Sequence, residues 1–138
     1  QSFVSALRLT VRAVFANDPP DKDELFRLAK MHRFEEAEEM LRRHPRSWHL
    51  QDDGGHTLLH WASLGGHDAF VAAALVAGVP VDVRGGAAGG GQTPLMWAVS
   101  ASRVSVATAL LRARADPWAR DQRTGATTFL IAVQQDQL

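Results

Sequence analysis

The sequence predicts an all-α solenoid made of paired antiparallel helices. The first observation is a seven-residue phrase that occurs three times: HTLLHWA at 56–62, QTPLMWA at 92–98 and, more faintly, ATTFLIA at 126–132. The second is its regular spacing, because Thr57, Thr93 and Thr127 follow one another at steps of 36 and 34 residues. The third is that apolar residues keep helical spacing within each unit, while a strand period never holds for long. Such self-similarity is typical of a stacked repeat array.

Each unit begins with a threonine and a short helix, and continues through a break, a second helix and a polar loop. Thr57 and Thr93 are expected to cap the first helix of their units, and Pro94 suits the first turn. A weaker copy precedes them, in which Leu25 takes the place of Leu59. We therefore predict about three and a half units, at 21–54, 55–90, 91–124 and 125–138.

The two ends of the chain carry separate expectations. Residues 1–20 are expected to form a capping helix, because Phe3, Leu7, Val11 and Val14 share a helical face and NDPP ends it. The last unit stops after one helix, which leaves the apolar face of TTFLIAV without its usual partner. Since repeat arrays need polar terminal caps, we expect the chain to be a fragment of a longer protein.

Composition indicates one compact domain, which we expect to be monomeric. The 138 residues are 46% hydrophobic and 22% charged, and fifteen basic side chains balance fifteen acidic ones, so no overall charge favours nucleic acid or an anionic membrane. The absence of cysteine excludes a disulfide scaffold and fits a cytosolic location. No stretch approaches eighteen uninterrupted apolar residues, so no membrane insertion of this chain is expected.

Candidate catalytic residues do not form a convincing site. The segment VPVDVRGGAAGGGQTPLMWA runs from strand-like residues through glycines to a helix, but it lacks the GxGxxG spacing and a Lys-Ser/Thr pair. We interpret it as a flexible hairpin tip. Nothing in the sequence orients Ser47 with His49, and Asp52 with Asp53 before two glycines is typical of a turn. We expect no enzyme activity and no cofactor.

A metal site is equally poorly supported. His56, His60 and His67 lie close in sequence, but no carboxylate or thiol completes a known ligand spacing. The alternative is a structural role for the histidines, and we expect no metal.

The repeated segments TLLHWASLGGHDAFVAAALVAG and TPLMWAVSASRVSVATALLRARAD resemble ankyrin repeats, whose phrase is TPLHxAAxxGH followed by an apolar helix. The resemblance covers roughly residues 21–138. It implies that Leu59, Ala62, Val71 and Leu75 face the neighbouring repeats. His44 and Arg114 stand where a repeat normally has a left-handed glycine, so these helix ends are expected to be looser or differently capped. The resemblance supplies no catalytic residue, and it implies an array that binds proteins.

Two tryptophans hold the same position in successive repeats. In ankyrin arrays this position lies at the edge of the concave face, and here it holds Trp61 and Trp97. Trp48 and Trp118 could line the same side. One interpretation is that Trp61 and Trp97 are core residues, and the other is that they form a stripe for peptide anchors. The sequence leaves both open.

A closer resemblance is to the N-terminal ankyrin array of DHHC-type protein palmitoyltransferases, on the strength of TLLHWA followed by VD, GG and TPLMWA. It implies a substrate-recruiting arm on the cytosolic face of a Golgi-type membrane, which binds a short extended motif ending in Gln-Pro. The groove tryptophan of that family falls on Trp97, and its assisting asparagine falls on Gly65. The predicted peptide-binding set is therefore Trp97, Trp61, Gly65, Met96 and Trp118.

Two alternatives remain at this point. One is a methyl-lysine reader, seen in some ankyrin domains, in which Trp61 and Trp97 form a cage with an acid such as Glu24 or Asp68. The other is a purely structural scaffold. Exposure of the two tryptophan side chains separates the scaffold from both binding interpretations.

Overall fold

The protein is a stack of helix pairs. The structure is a computed structural model that describes residues 3–4, 19–86 and 91–135. In these residues it contains seven α-helices, one 3₁₀ helix and no β-strand, so the predicted all-α solenoid is confirmed. The helices are α1 (Lys22–Lys30), α2 (Phe34–Arg43), the 3₁₀ helix (Pro45–His49), α3 (Leu58–Gly65), α4 (Asp68–Val76), α5 (Pro94–Ser100), α6 (Val104–Arg112) and α7 (Thr128–Gln134). The predicted capping helix at 1–20 and the glycine tip at 87–90 lie almost entirely outside the described residues.

The inner helices begin where the repeated threonines predict. Oγ1 of Thr93 accepts a hydrogen bond from the Met96 backbone N–H at 3.3 Å, and Oγ1 of Thr127 accepts one from Leu130 at 3.2 Å. Pro94 is the first residue of α5. These caps supply acceptors for N–H groups that have no partner within the first helical turn.

The core lies between two rows of helices. The inner helices α1, α3, α5 and α7 contact one another in that order, and the outer helices α2, α4 and α6 form the second row. Leu59, Ala62 and Val71 are fully buried between the rows, and Leu75 packs against them in partial burial. The expected inward face of the second repeat is therefore confirmed.

Short hairpins join each outer helix to the next inner helix. The backbone N–H of Asp52 donates to the carbonyl of His56 at 2.9 Å, and that of Asp121 donates to Ala126 at 2.8 Å. Because each hairpin closes just before an inner helix begins, it holds Asp52 and His56 beside the first turn of α3.

The ends of the outer helices differ between repeats. After α4, Gly78 adopts a left-handed backbone with φ of 90°, and Arg114 adopts the same region after α6 with φ of 69°. His44 has φ of −133° and leads into the 3₁₀ helix instead. Different capping at His44 is therefore confirmed, whereas Arg114 keeps the turn that glycine usually makes.

The α7 helix exposes apolar side chains. Phe129, Leu130 and Val133 are all exposed, and the Phe129 ring lies 6.2 Å from the ring of Trp118. Ile131 faces inward and packs with Met96, Ala119 and Ala126 in a second, smaller core cluster.

Candidate functional site

The two in-register tryptophans lie next to each other. Trp61 on α3 and Trp97 on α5 are both half-buried. Their ring centroids are 5.1 Å apart and their planes meet at 89°, which is an edge-to-face contact. This aromatic surface, formed by Trp61 and Trp97, is the centre of the candidate site.

Asp52 holds Trp61 in place from the hairpin before α3. Its Oδ2 accepts a hydrogen bond from the Trp61 indole N–H at 3.0 Å. Its Oδ1 accepts from the backbone N–H groups of Gly54 at 3.0 Å and His56 at 2.9 Å. Burial of this carboxyl opposes its ionisation, but the bonds from His56 and Trp61 outweigh that cost, so the pKa of Asp52 lies below its ordinary value of 3.8. Asp52 is thus a carboxylate at neutral pH.

His56 fills the space between Asp52 and Trp97. Its Nδ1 lies 3.3 Å from Oδ1 of Asp52, and its ring lies 4.6 Å from the ring of Trp97. A Cβ atom on Gly54 would stand 2.8 Å from this imidazole and one on Gly85 would stand 2.6 Å from it, so both positions need glycine. The Nε2 atom of His56 is buried without a hydrogen-bond partner in the described part of the chain.

His60 joins the second repeat to the third. Its Nε2 lies 2.8 Å from the carbonyl oxygen of Gln92, which can only accept, so Nε2 carries the proton. Nδ1 then accepts from the Thr57 backbone N–H at 3.1 Å. Burial lowers the pKa of His60 from 6.5 to about 4, although its bond to Gln92 acts in the opposite direction and the charge of His56 adds to the lowering. His60 is therefore neutral and structural. His67 also makes a structural contact, because its Nδ1 accepts a hydrogen bond from the Phe70 backbone N–H at 3.1 Å.

A cation also lies against the Trp61 ring. The Nζ of Lys30 stands 5.1 Å from the Trp61 ring centroid and 3.9 Å from Oδ2 of Asp52. Both Lys30 and Asp52 also line a cavity of about 360 Å³ against α1. Its other lining residues are Lys22, Asp23, Phe26, Arg27, Met31 and Asp53. Two residues of the cavity lining, Lys30 and Asp52, thus contact the aromatic surface through Trp61.

The structure brings together some of the predicted peptide-binding residues and separates others. Trp61 and Trp97 are in contact, but Met96 is fully buried in the second core cluster and offers no side-chain surface to a ligand. Gly65 lies at the end of α3, where an added Cβ would stand 2.6 Å from His32 and 3.1 Å from Phe34. Trp118 is 67% exposed in the hairpin before α7 and stacks near Phe129.

The remaining tryptophan and the candidate acids lie elsewhere. Trp48 is buried against Phe70 at 4.9 Å between ring centroids, so it belongs to the core. Glu24 pairs with Arg27 at 3.8 Å, and Asp68 accepts a hydrogen bond from Ser105 at 2.9 Å. Neither contact involves a tryptophan.

Sequence reasoning overlooked the polar residues that frame the tryptophans. Asp52 was interpreted as a turn residue, and Lys30 was not considered. One signal was present, because Asp52 and Asp121 occupy equivalent places in their hairpins, and Asp121 also accepts backbone N–H bonds, from Arg123 and Thr124. The position is therefore a recurring hairpin cap. Its Oδ1 accepts backbone N–H bonds of the hairpin, and its Oδ2 accepts a side-chain bond, from Trp61 at Asp52 and from Gln92 at Asp121.

Two further observations concern the described residues alone. Among them, no group of three histidine, cysteine or acidic side chains is arranged to hold a metal ion. Nor does any helix there combine the length and apolar character that crossing a bilayer requires.

The stacked helix pairs and the surface beside them define a repeat-type protein-interaction module. The protein-family model for ankyrin repeats, which spans three copies, matches residues 25–121. The chain therefore belongs to the ankyrin-repeat family. No curated protein matches it.

Proposed function

We propose that this array binds an extended segment of a partner protein along the aromatic surface, with Trp97 as the main anchor. The observation that carries this proposal is the unequal use of the two indoles. The N–H of Trp61 is bonded to Asp52, whereas the half-buried Trp97 makes no side-chain hydrogen bond within the described residues. A tryptophan with a fixed ring and a free donor is suited to contact both the apolar and the polar groups of a peptide.

The neighbouring cavity supports an extended ligand. Lys30 and Asp52, which line the cavity, both contact Trp61, and the Trp61 ring contacts Trp97. A segment that fills the cavity would therefore reach Trp97 by passing Trp61. The proposed surface consists of Trp61, Trp97 and the cavity lining, and it leaves out Met96 because that side chain is buried. Gly65 and Trp118 remain candidates at the margins.

The test uses a synthetic peptide that contains Gln-Pro, because the sequence resemblance points to that motif. Trp97→Ala is expected to weaken its binding by roughly 2 kcal/mol or more, as truncated aromatic anchors do. Trp61→Ala is expected to cost somewhat less binding. Calorimetry gives the affinity, and the urea midpoint of each variant shows whether it remains folded. Unchanged affinity for folded Trp97→Ala would exclude the proposed anchor.

The proposal extends to the parent protein on the strength of the sequence resemblance alone. We infer that the module is the substrate-recruiting arm of a DHHC-type palmitoyltransferase, on the cytosolic face of a Golgi-type membrane. We also retain the division into a capping segment at 1–20 and repeats at 21–138. The parent gene tests this directly, because four membrane spans and an Asp-His-His-Cys motif are expected downstream of residue 138. A different downstream domain would refute it.

Cation recognition is a second candidate, favoured by the position of Lys30. Its ammonium already lies over the Trp61 face and close to Asp52, which are the two groups that a bound cation requires. Asp52 thus takes the role predicted for Glu24 or Asp68. Lys30→Ala is expected to admit a trimethyl-lysine peptide that wild type binds weakly. If the trimethylated and unmodified peptides bind this variant equally, the methyl-lysine function is excluded.

A further inference from the structure

The neutral net charge of the chain hides an unequal distribution along the solenoid. Residues 19–83 carry seven basic and eleven acidic side chains, a balance of minus four. Residues 84–135 carry six arginines and two aspartates, a balance of plus four. The first repeat and the last helices therefore present opposite charge to a ligand that lies across the array.

The two halves also differ in how their cations are paired. Six of the seven basic side chains in the acidic half lie within 4.0 Å of a carboxylate: Lys22, Arg27, Lys30, Arg33, Arg42 and Arg43. None of the six arginines from Arg84 onward forms such an ion pair within the described residues. Apart from the charge interaction of Arg123 with Asp121, which helps to lower the pKa of that carboxyl, their charges are left to attract anions from outside the chain.

Three of these arginines lie on two successive hairpins. Nη1 of Arg84 donates to the carbonyl oxygen of Arg120 at 2.7 Å and to that of Gly91 at 2.9 Å, which ties two successive hairpins together. Arg123 follows on the second hairpin, and all three side chains are exposed. Bonds to carbonyl oxygens fix the position of a guanidinium but do not neutralise it. We call Arg84, Arg120 and Arg123 the arginine surface.

The carboxylate of that hairpin does not cancel the three charges. Asp121 is 2% exposed, and its oxygens accept bonds from the Gln92 side-chain amide at 2.7 Å and from the Arg123 and Thr124 backbone N–H groups. One buried negative charge thus lies beneath three exposed positive ones. The surface retains a net positive charge.

A chain of contacts joins the arginine surface to the aromatic surface. Gln92 links them, because its carbonyl accepts from His60, whose ring lies 5.2 Å from Trp97, while its amide donates to Asp121. Arg84 bonds to Gly91, the residue before Gln92. A peptide anchored at Trp97 would therefore reach these arginines within a few residues.

We propose that the arginine surface binds an acidic stretch of the partner protein, next to the part of the same segment that lies on Trp97. This rests on the proposed function and adds its direction: the acidic end of the segment lies toward α7 and the other end toward α1. Opposite charge across an interface favours one orientation and speeds association.

Synthetic peptides with one shared Gln-Pro core test this inference. Each carries a run of glutamates, serines or lysines at one end, and both ends are tried. At low salt the better glutamate peptide is expected to bind on the order of tenfold more tightly than its serine counterpart. The advantage should largely disappear at high salt, which screens exposed charges. Equal affinities of the glutamate and serine peptides would overturn the proposal.

A matched pair of variants separates a local site from a general charge effect. The triple variant Arg84→Gln, Arg120→Gln, Arg123→Gln should abolish the glutamate advantage. The control Arg33→Gln, Arg42→Gln, Arg43→Gln, just before α2 and in its last turn, removes the same charge from exposed arginines and should leave the advantage within about twofold. Equal losses in both would refute a local site. Arg123→Gln alone guards against misfolding, since its side chain makes no hydrogen bond within the described residues, and it should lose part of the advantage.

Two further arms distinguish this inference from its foundation and from another partner class. A glutamate peptide without the Gln-Pro core is expected to bind weakly to wild type and not to the triple arginine variant. If this holds while Trp97→Ala has no effect on binding of the core peptide, the proposed function is wrong and the inference about the arginine surface is supported. If phosphatidylserine vesicles bind through these arginines and no glutamate peptide does, the protein-segment proposal is wrong.

Discussion

The indole N–H of Trp61 donates a hydrogen bond to Oδ2 of Asp52 at 3.0 Å, and this contact gives the two in-register tryptophans different roles. Trp61 is tied to a carboxylate whose side chain is 8% exposed, and its ring also packs against the main core. Trp97 has no such tie within the described residues. We therefore expect Trp61 to contribute more to the core and Trp97 more to recognition, so the two interpretations of the sequence need not exclude each other.

Removing the Asp52 carboxylate is expected to destabilise the protein by about 2–4 kcal/mol, because the Trp61 indole and two backbone N–H groups lose a charged acceptor. Asp53→Ala is the matched control. The Asp53 side chain is 96% exposed and pairs only with Lys22 among the described residues, so the free energy of unfolding should change by no more than about 0.5 kcal/mol. Urea unfolding of Asp52→Ala and Asp53→Ala measures the difference. Similar losses in both would mean that Asp52 does not hold the hairpin.

A double-mutant cycle isolates the contact with Trp61. Trp61→Phe keeps an aromatic ring and removes the N–H donor, and Asp52→Asn removes the charge. The coupling free energy between the two changes is expected to be about 1 kcal/mol, as for a hydrogen bond to a charged group that is partly shielded from water. Additive effects would show that Trp61 is held by its core contacts alone.

The neutral, buried His60 makes stability depend on pH. Its pKa is 6.5 in the ordinary case and about 4 in the folded protein, so the unfolded chain binds a proton between these values and the folded chain does not. The stabilisation from His60 is complete above pH 6.5 and is lost as the pH falls toward 4. The total loss is expected to be about 3 kcal/mol, since each pKa unit corresponds to about 1.4 kcal/mol.

His60→Met provides the comparison, because Met96 occupies the equivalent position in the next repeat and is fully buried. The variant loses the bond to Gln92 and should be less stable at pH 7. Its urea midpoint should nevertheless change much less between pH 7 and pH 5 than that of wild type. A parallel decline in both proteins would assign the pH dependence to other groups.

The sequence predicted most of the fold because the repeat is built from local signals. Threonine caps, Pro94 in a first turn and apolar residues at helical spacing each act within one helix, so they are visible without knowledge of the partner helices. Burial of Trp48 and Met96 was not visible in this way. Both depend on which neighbouring elements cover them, namely Phe70 of α4 for the first and Ala126 and Ile131 for the second.

The polar part of the candidate site was harder to predict for the same reason. Lys30 and Asp52 meet Trp61 from two different elements, and a lysine at the end of a helix has no local feature that indicates an aromatic partner. Gly54 was attributed to a turn and Gly85 to a flexible hairpin tip, whereas each leaves space for the imidazole of His56. Glycine in a loop indicates either freedom or close approach, and sequence alone does not separate the two.

Arg114 and Gly78 occupy equivalent positions after their outer helices, and this pair gives the last prediction. Both have a left-handed backbone, with φ of 69° for Arg114 and 90° for Gly78. A residue with a Cβ pays about 1–2 kcal/mol for that conformation, and glycine does not, although glycine loses more entropy on folding. Arg114→Gly is therefore expected to stabilise the protein by roughly 0.5–1 kcal/mol. Gly78→Ala should destabilise it by about 1 kcal/mol through the backbone alone, since an added Cβ there meets no atom within 4 Å.

Arg114→Ala is the control, because it removes the arginine side chain and keeps the strained backbone, so its urea midpoint should remain near that of wild type. If Arg114→Ala gains as much as Arg114→Gly, the relief comes from removing the guanidinium charge, and the left-handed turn is not the cause.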